Sequence, residues 1–131
     1  MYINYPALFF KENGSYSVVF PDLNDLATFG NSYDDAMAMA VDLLAGEFHW
    51  AKLHSEAVPE PSKIEDIKPD DGSFPVLVSF DVDDYIKKNF EKPVKKTLSI
   101  PKWLDDTCKA KRIKFSKVLQ EALKHEIGLS N

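Results

Sequence analysis

Apolar positions along the chain change period several times, and each change marks an element. Residues 2–10 (Tyr-Ile-Asn-Tyr-Pro-Ala-Leu-Phe-Phe) are rich in aromatic and β-forming side chains and read as a strand. Pro6 cannot donate to a ladder, so an edge position or a bulge is expected there. Asn13-Gly14 is a hairpin signal, because a type I′ turn needs positive φ at both central residues. A second strand follows at 15–20, with Tyr16, Val18 and Phe20 on one face, and Pro21-Asp22 ends it. A short third strand covers 26–30. Ser32 then reads as a helix N-cap with Asp35 three residues on, a capping box with Asp in place of Glu. Tyr33, Met37, Ala40, Leu44, Phe48 and Ala51 step by three and four, which places them on one helical stripe. Residues 55–73, with three prolines, Gly72 and many charges, form a connector. Phe74, Val76, Val78, Phe80 and Val82 alternate without a break as a half-buried strand, and 83–90 form a short helical turn. The order β-β-β-α-β predicts an α+β domain, one helix packed on one face of a small sheet.

Pro93 marks a boundary. Beyond it, 94–100 (Val-Lys-Lys-Thr-Leu-Ser-Ile) read as one short strand. Pro101 suits the first turn of a helix running to about Arg112, with Leu104, Thr107, Cys108 and Lys111 on one side. Ser116 caps a second helix with apolar positions Val118, Leu119, Ala122, Leu123 and Ile127, ended by Gly128. A lone strand has no partner inside this segment, and two short amphipathic helices cannot close a core around it. A second copy solves both problems: the strands pair antiparallel as a ribbon, and four helices interlock beneath. Leu98, Ile100, Leu104, Val118, Leu119 and Leu123 then form the dimer core. The assembly is a homodimer or a higher even-numbered oligomer.

Charge sharpens this division. The net formal charge is −5, yet residues 1–92 hold 7 Lys/Arg against 17 Asp/Glu, a net −10, and residues 93–131 hold 9 against 4, a net +5. A basic module suits phosphate and an acidic one suits a basic protein, so the two parts address different partners. No apolar run approaches the roughly 18 residues of a membrane span. Lys11 is the only Lys or Arg before Lys52, unlike a secretory leader, and the single Cys108 forms no internal disulfide. The expectation is a cytoplasmic protein without membrane contact.

On the strand at 94–100, Leu98 and Ile100 share the face turned to the helices, and Lys95, Thr97 and Ser99 share the other. A two-stranded ribbon fits the DNA major groove, where Lys donates to guanine and Thr or Ser reaches donors or acceptors. Lys95, Thr97 and Ser99 are the candidate base-reading residues. Ser116 and Lys117, at a helix start, are the candidate phosphate contacts.

Lys-Lys-Thr-Leu-Ser-Ile-Pro-Lys-Trp-Leu (95–104) followed by Phe-Ser-Lys-Val-Leu-Gln-Glu-Ala-Leu (115–123) resembles the ribbon-helix-helix tail of HicB-type antitoxins. Gly-Ser-Tyr-Ser-Val-Val-Phe-Pro-Asp-Leu (14–23) with Ser-Tyr-Asp-Asp-Ala-Met (32–37) resembles the N-terminal domain of the same family, a partial RNase H-like fold. The family often has Pro-Gly-Cys after that first run, where this chain has Asn24, Asp25 and Leu26, so contacts in that loop are not carried over. The resemblance implies residues 1–92 as a toxin-binding domain and 93–131 as a ribbon-helix-helix dimerisation and DNA-binding domain. It also implies two partners: operator double-stranded DNA, and a small basic HicA-like toxin of double-stranded-RNA-binding-domain shape that cleaves mRNA.

Other chemistries fit less well. Asp22, Asp25, Asp34, Asp35, Asp81, Asp83 and Asp84 could in principle supply a metal-dependent RNase H-like nuclease, but most sit at turns or helix starts, and Asp34 and Asp35 suit a helix N-terminus. His49 and His54 are five apart, about 140° around a helix, and do not share a face as metal ligands would. Trp50 and Trp103 are expected in cores or interfaces, His49 at the edge of the apolar stripe, and Cys108 as a structural thiol on the buried side of its helix. No catalytic residue, metal or cofactor is expected. Besides the nuclease, the alternative is a stand-alone ribbon-helix-helix regulator whose N-terminal domain senses a ligand.

Overall fold

Asn13 and Gly14 take φ of 50° and 86° and turn β1 (Tyr2–Glu12) directly into β2 (Ser15–Phe20), with Glu12 facing Ser15 across a two-residue loop. The computed structural model describes residues 1–129. The chain divides into two units, Met1–Lys92 and Pro93–Asn131.

In the first unit β3 (Leu26–Gly30) and β4 (Ser73–Asp81) complete an antiparallel sheet of order β3-β2-β1-β4. Pro6 was expected at an edge or a bulge, yet β1 is internal and Pro6 pairs with Leu77 of β4 in unbroken register. Pairing with β2 begins only at Leu8, so on that side the missing N–H faces no ladder. Asn24 and Asp25, which stand where the resembling family often has Pro-Gly-Cys, both adopt the left-handed region (φ 55° and 57°). Short polar side chains tolerate it better than most.

The helix α1 (Tyr33–Leu53) starts as its sequence requires: Ser32 Oγ accepts from Asp35 N at 3.1 Å. The return bond of the capping box goes one residue further back, Asn31 N donating to the Asp35 carboxylate at 2.9 Å. Gly30 is required here, because a Cβ on it would collide with the backbone of Asp35 and Ala36. Ala36, Ala40 and Leu44 of α1 are fully buried with Ala7, Phe9, Val18, Phe20 and Val78 of the sheet. Small alanines let the helix lie close, and the aromatic rings fill the space between.

The helical turn expected at 83–90 is a second helix of eight residues that starts one residue earlier. Val82 leaves the strand alternation and opens α2 (Val82–Asn89), capped by the Asp81 carboxylate accepting from Asp84 N at 3.1 Å. Val82 and Ile86 are buried in the same core, and Tyr85 Oη donates to Asp42 of α1 at 2.9 Å. The connector is anchored at two points. Asp22 accepts from Ser62 N and Oγ at 2.8 and 2.6 Å, and Tyr5 Oη donates to the Pro59 carbonyl at 2.6 Å.

The second unit contains α3 (Lys102–Ala110) and α4 (Phe115–Glu126). Residues 94–100 form no strand in the single chain and are exposed throughout. An isolated strand has unpaired backbone groups on both edges, so without a partner copy nothing holds it. Pro101 is the N-cap of α3 rather than a residue of its first turn, and the helix ends at Ala110, short of Arg112. Ser116 is not the cap of α4: Lys114 holds that place, and Ser116 Oγ accepts instead from Gln120 Nε2 at 3.1 Å. The left-handed turn at Arg112 (φ 56°) places the helix start earlier than the Ser signal suggests. Gly128 (φ 91°) closes α4 as expected: its N–H bonds the His125 carbonyl and Leu129 N–H bonds that of Lys124.

Candidate functional site

Six carboxylates of the first unit have separate structural partners. Asp22 holds the connector, the Asp35 carboxylate accepts from Asn31 N, Asp81 caps α2, Asp42 takes the Tyr85 hydroxyl, and Asp84 pairs with Lys88 at 3.0 Å. The Met1 ammonium lies 3.2 Å from Asp81 and 3.1 Å from Asp83. The bond from Asp84 N, then the Met1 ammonium, hold the Asp81 carboxyl below its ordinary value. Burial first, then Glu60 and Asp22, push the Tyr5 phenol up. Among the described residues no group of three or more His, Cys, Asp or Glu could hold a metal ion.

His49 and His54 do not converge. His49 is half-buried with its ring 5.5 Å from that of Phe90, as its place at the stripe edge predicted, whereas His54 stacks on Trp50 with ring centroids 3.6 Å apart. The tryptophans depart from the core expectation: Trp50 is 56% and Trp103 68% exposed. Large apolar side chains exposed on helices are not needed by the fold and suit an interface. A groove of about 500 Å³ also opens between the start of β1, the end of α1 and the connector, with Tyr2, Phe48, Val58 and Glu60 in its wall.

The second unit has a different character. Neither α3 nor α4 buries a single residue. Leu98, Ile100, Val118 and Leu123 are 63%, 46%, 51% and 55% exposed, and Leu104, Cys108 and Leu119 are half-buried. Lys95, Thr97 and Ser99 lie on the exposed stretch before α3. Ser116 and Lys117 occupy the first turn of α4, where backbone N–H groups lack intrahelical partners. They share a shallow surface groove with Lys114, Gln120, Glu121 and Lys124. Arg112 stands in left-handed backbone where glycine is usual, and sequence periodicity gives no signal of that.

A family profile described as HicB-like antitoxin of bacterial toxin–antitoxin system matches residues 4–83, well over half of the chain. The chain belongs to the HicB-like antitoxin family. A chain from a toxin–antitoxin complex of Streptococcus pneumoniae is similar to this antitoxin at 31% identity and TM-score 0.61, covering 96% of this chain and 99% of that one. The antitoxin HicB of Burkholderia pseudomallei matches in fold at 24% identity and TM-score 0.55, over 95% of this chain and 96% of that one. Among curated proteins none matches significantly. The α+β first unit followed by two C-terminal helices fits the HicB-like fold, and the general role is that of an antitoxin of a type II toxin–antitoxin system. Among the described residues of this antitoxin, no helix is long and apolar enough to cross a membrane.

Proposed function

We propose that the antitoxin neutralises a small basic HicA-like toxin through its acidic unit and represses its own operon through its basic unit. In the second activity residues 93–131 of two chains form a ribbon-helix-helix dimer on operator DNA. The observation that carries the reading is that none of the described residues of the second unit is buried, although its helices present leucines, valine and aromatic side chains on their surfaces. Exposed apolar side chains at helical spacing in a basic segment call for a second copy. Pairing residues 94–100 of two chains satisfies backbone groups that are otherwise open. Leu98, Ile100, Leu104, Val118, Leu119 and Leu123 then meet in the dimer core. Lys95, Thr97 and Ser99 face the major groove, and the helix start at Ser116 and Lys117 meets phosphate.

The toxin half of the reading is supported by the net −10 of residues 1–92 and by the toxin–antitoxin complex that contains the S. pneumoniae relative. Co-expression with the adjacent gene should yield a tight complex with a small basic protein. A mobility-shift titration on the upstream region at several salt concentrations tests the DNA half. Thr97→Ala should lose discrimination at particular base pairs, by about 1–3 kcal/mol for a well-made contact. Lys117→Ala should weaken all sequences alike and lower the salt slope by about one unit. Equal affinity of the wild type for operator and scrambled DNA would overturn the repressor assignment.

A further inference from the structure

Helix α1 carries a second apolar stripe that its own fold leaves largely exposed at Met39, Trp50 and Leu53. Ala36, Ala40, Leu44 and Ala51 are buried in the domain interior. Met39, Leu43, Gly46, Trp50 and Leu53 recur at steps of four, three, four and three. At about 100° per residue they fall within a band roughly 80° wide, centred roughly 100° around the helix from the buried one. Met39, Trp50 and Leu53 are 43%, 56% and 46% exposed. Leu43 is half-buried against the core and Gly46 half-buried, so the fold covers this second apolar side only in part.

Two further features single out this stripe. Gly46 sits at its centre, in the interior of a 21-residue helix, and a Cβ there would meet nothing within 4 Å. Glycine weakens a helix interior, and the fold of the chain supplies no reason for it; a backbone or side chain arriving from outside would. The Trp50 indole is also held in place, stacked on the His54 ring, whose Nδ1 lies 2.9 Å from the Trp50 carbonyl oxygen. A large aromatic already fixed in orientation loses little freedom on binding.

The geometry points to this stripe as the surface that receives a basic protein partner. An apolar ridge of that partner crosses Gly46 and packs against Trp50, while its cations meet Asp42 and Glu47 on the two flanks. The inference rests on the antitoxin reading above and assigns the toxin its landing surface. Charge decides between occupants. No Lys or Arg occurs between Lys11 and Lys52, and α1 carries Asp34, Asp35, Asp42 and Glu47. A second copy of α1 would set these carboxylates against their own kind. The basic C-terminal segment commits its apolar side chains to the ribbon dimer.

The test titrates the toxin encoded by the adjacent gene, purified in a catalytically inactive form, into full-length antitoxin in a calorimeter. Gly46→Leu is the informative variant, since leucine favours a helix and has open space here. Its melting temperature should hold or rise while toxin affinity falls by about 30-fold or more, the scale of a hot-spot loss. Trp50→Ala should weaken toxin binding by a similar factor. If the wild type binds the toxin and both variants bind it equally well, the stripe is the wrong surface and the antitoxin reading stands. If the wild type binds no toxin, that reading fails and takes the stripe with it. A change in the sedimentation of free Gly46→Leu antitoxin with unaltered toxin affinity would assign the stripe to a second copy instead.

Discussion

Truncating Leu123 to Ala should weaken self-association without unfolding the first unit. In the single chain Leu123 is 55% exposed and Leu98 63%. Full burial of a leucine is worth about 1.5–3 kcal/mol relative to exposure, so roughly 1–2 kcal/mol per side chain remains to be gained when a second copy covers it. A dimer holds each side chain twice. Leu123→Ala forfeits most of that gain in both copies, about 2–3 kcal/mol per dimer. At about 1.4 kcal/mol per decade, the dissociation constant should rise roughly 30- to 100-fold. Leu123→Asp, which buries a charge without a partner, should abolish the dimer. Sedimentation equilibrium across the micromolar range reads this directly, and the near-ultraviolet signal of the sheet domain, rich in Tyr and Phe, reports that the first unit stays folded. A wild type that is monomeric at micromolar concentration would refute the reasoning. So would a Leu123→Ala variant that dimerises as well as the wild type.

Two further outcomes follow from the first unit. Gly30→Ala drives a methyl group into the start of α1, so it should destabilise by about 1–3 kcal/mol or more and lower the denaturant midpoint at unchanged slope. The same change at Gly46, where no atom stands in the way, should not destabilise. Asp81 has a depressed carboxyl, so its contribution is present above the unfolded value near pH 4 and is lost as pH falls through the lower folded value. Asp81→Asn keeps an acceptor for Asp84 N and removes the charge, so its thermal stability should fall less steeply than that of the wild type between about pH 5 and pH 2; parallel profiles would show that the charge is not felt.

Local chemistry was legible in the sequence wherever a single residue dictates backbone geometry. Asn13-Gly14 fixed the hairpin, Ser32 with Asp35 fixed the start of α1, and Gly128 fixed the end of α4, because each rule acts over about four residues. The break in charge near Pro93 was visible for a similar reason, since net charge is a sum over the chain and needs no coordinates. The α+β character and the family motifs were readable as well. Strand order was not. Pro6 reads as an edge or bulge residue by itself and is internal because β4 returns across the connector to pair with β1 from Tyr2 to Phe10. Val82 continues a strand alternation and opens a helix instead, because Asp81 caps the turn and Ile86 finds the core. The apolar stripe of α1 chosen from periodicity is buried at Ala40, Leu44 and Ala51, half-buried at Met37 and Phe48 and exposed at Tyr33, and the second stripe, from Met39 to Leu53, was written in the same steps of three and four. Only the tertiary structure shows which of the two is covered, because periodicity places residues on a face and packing decides what that face meets.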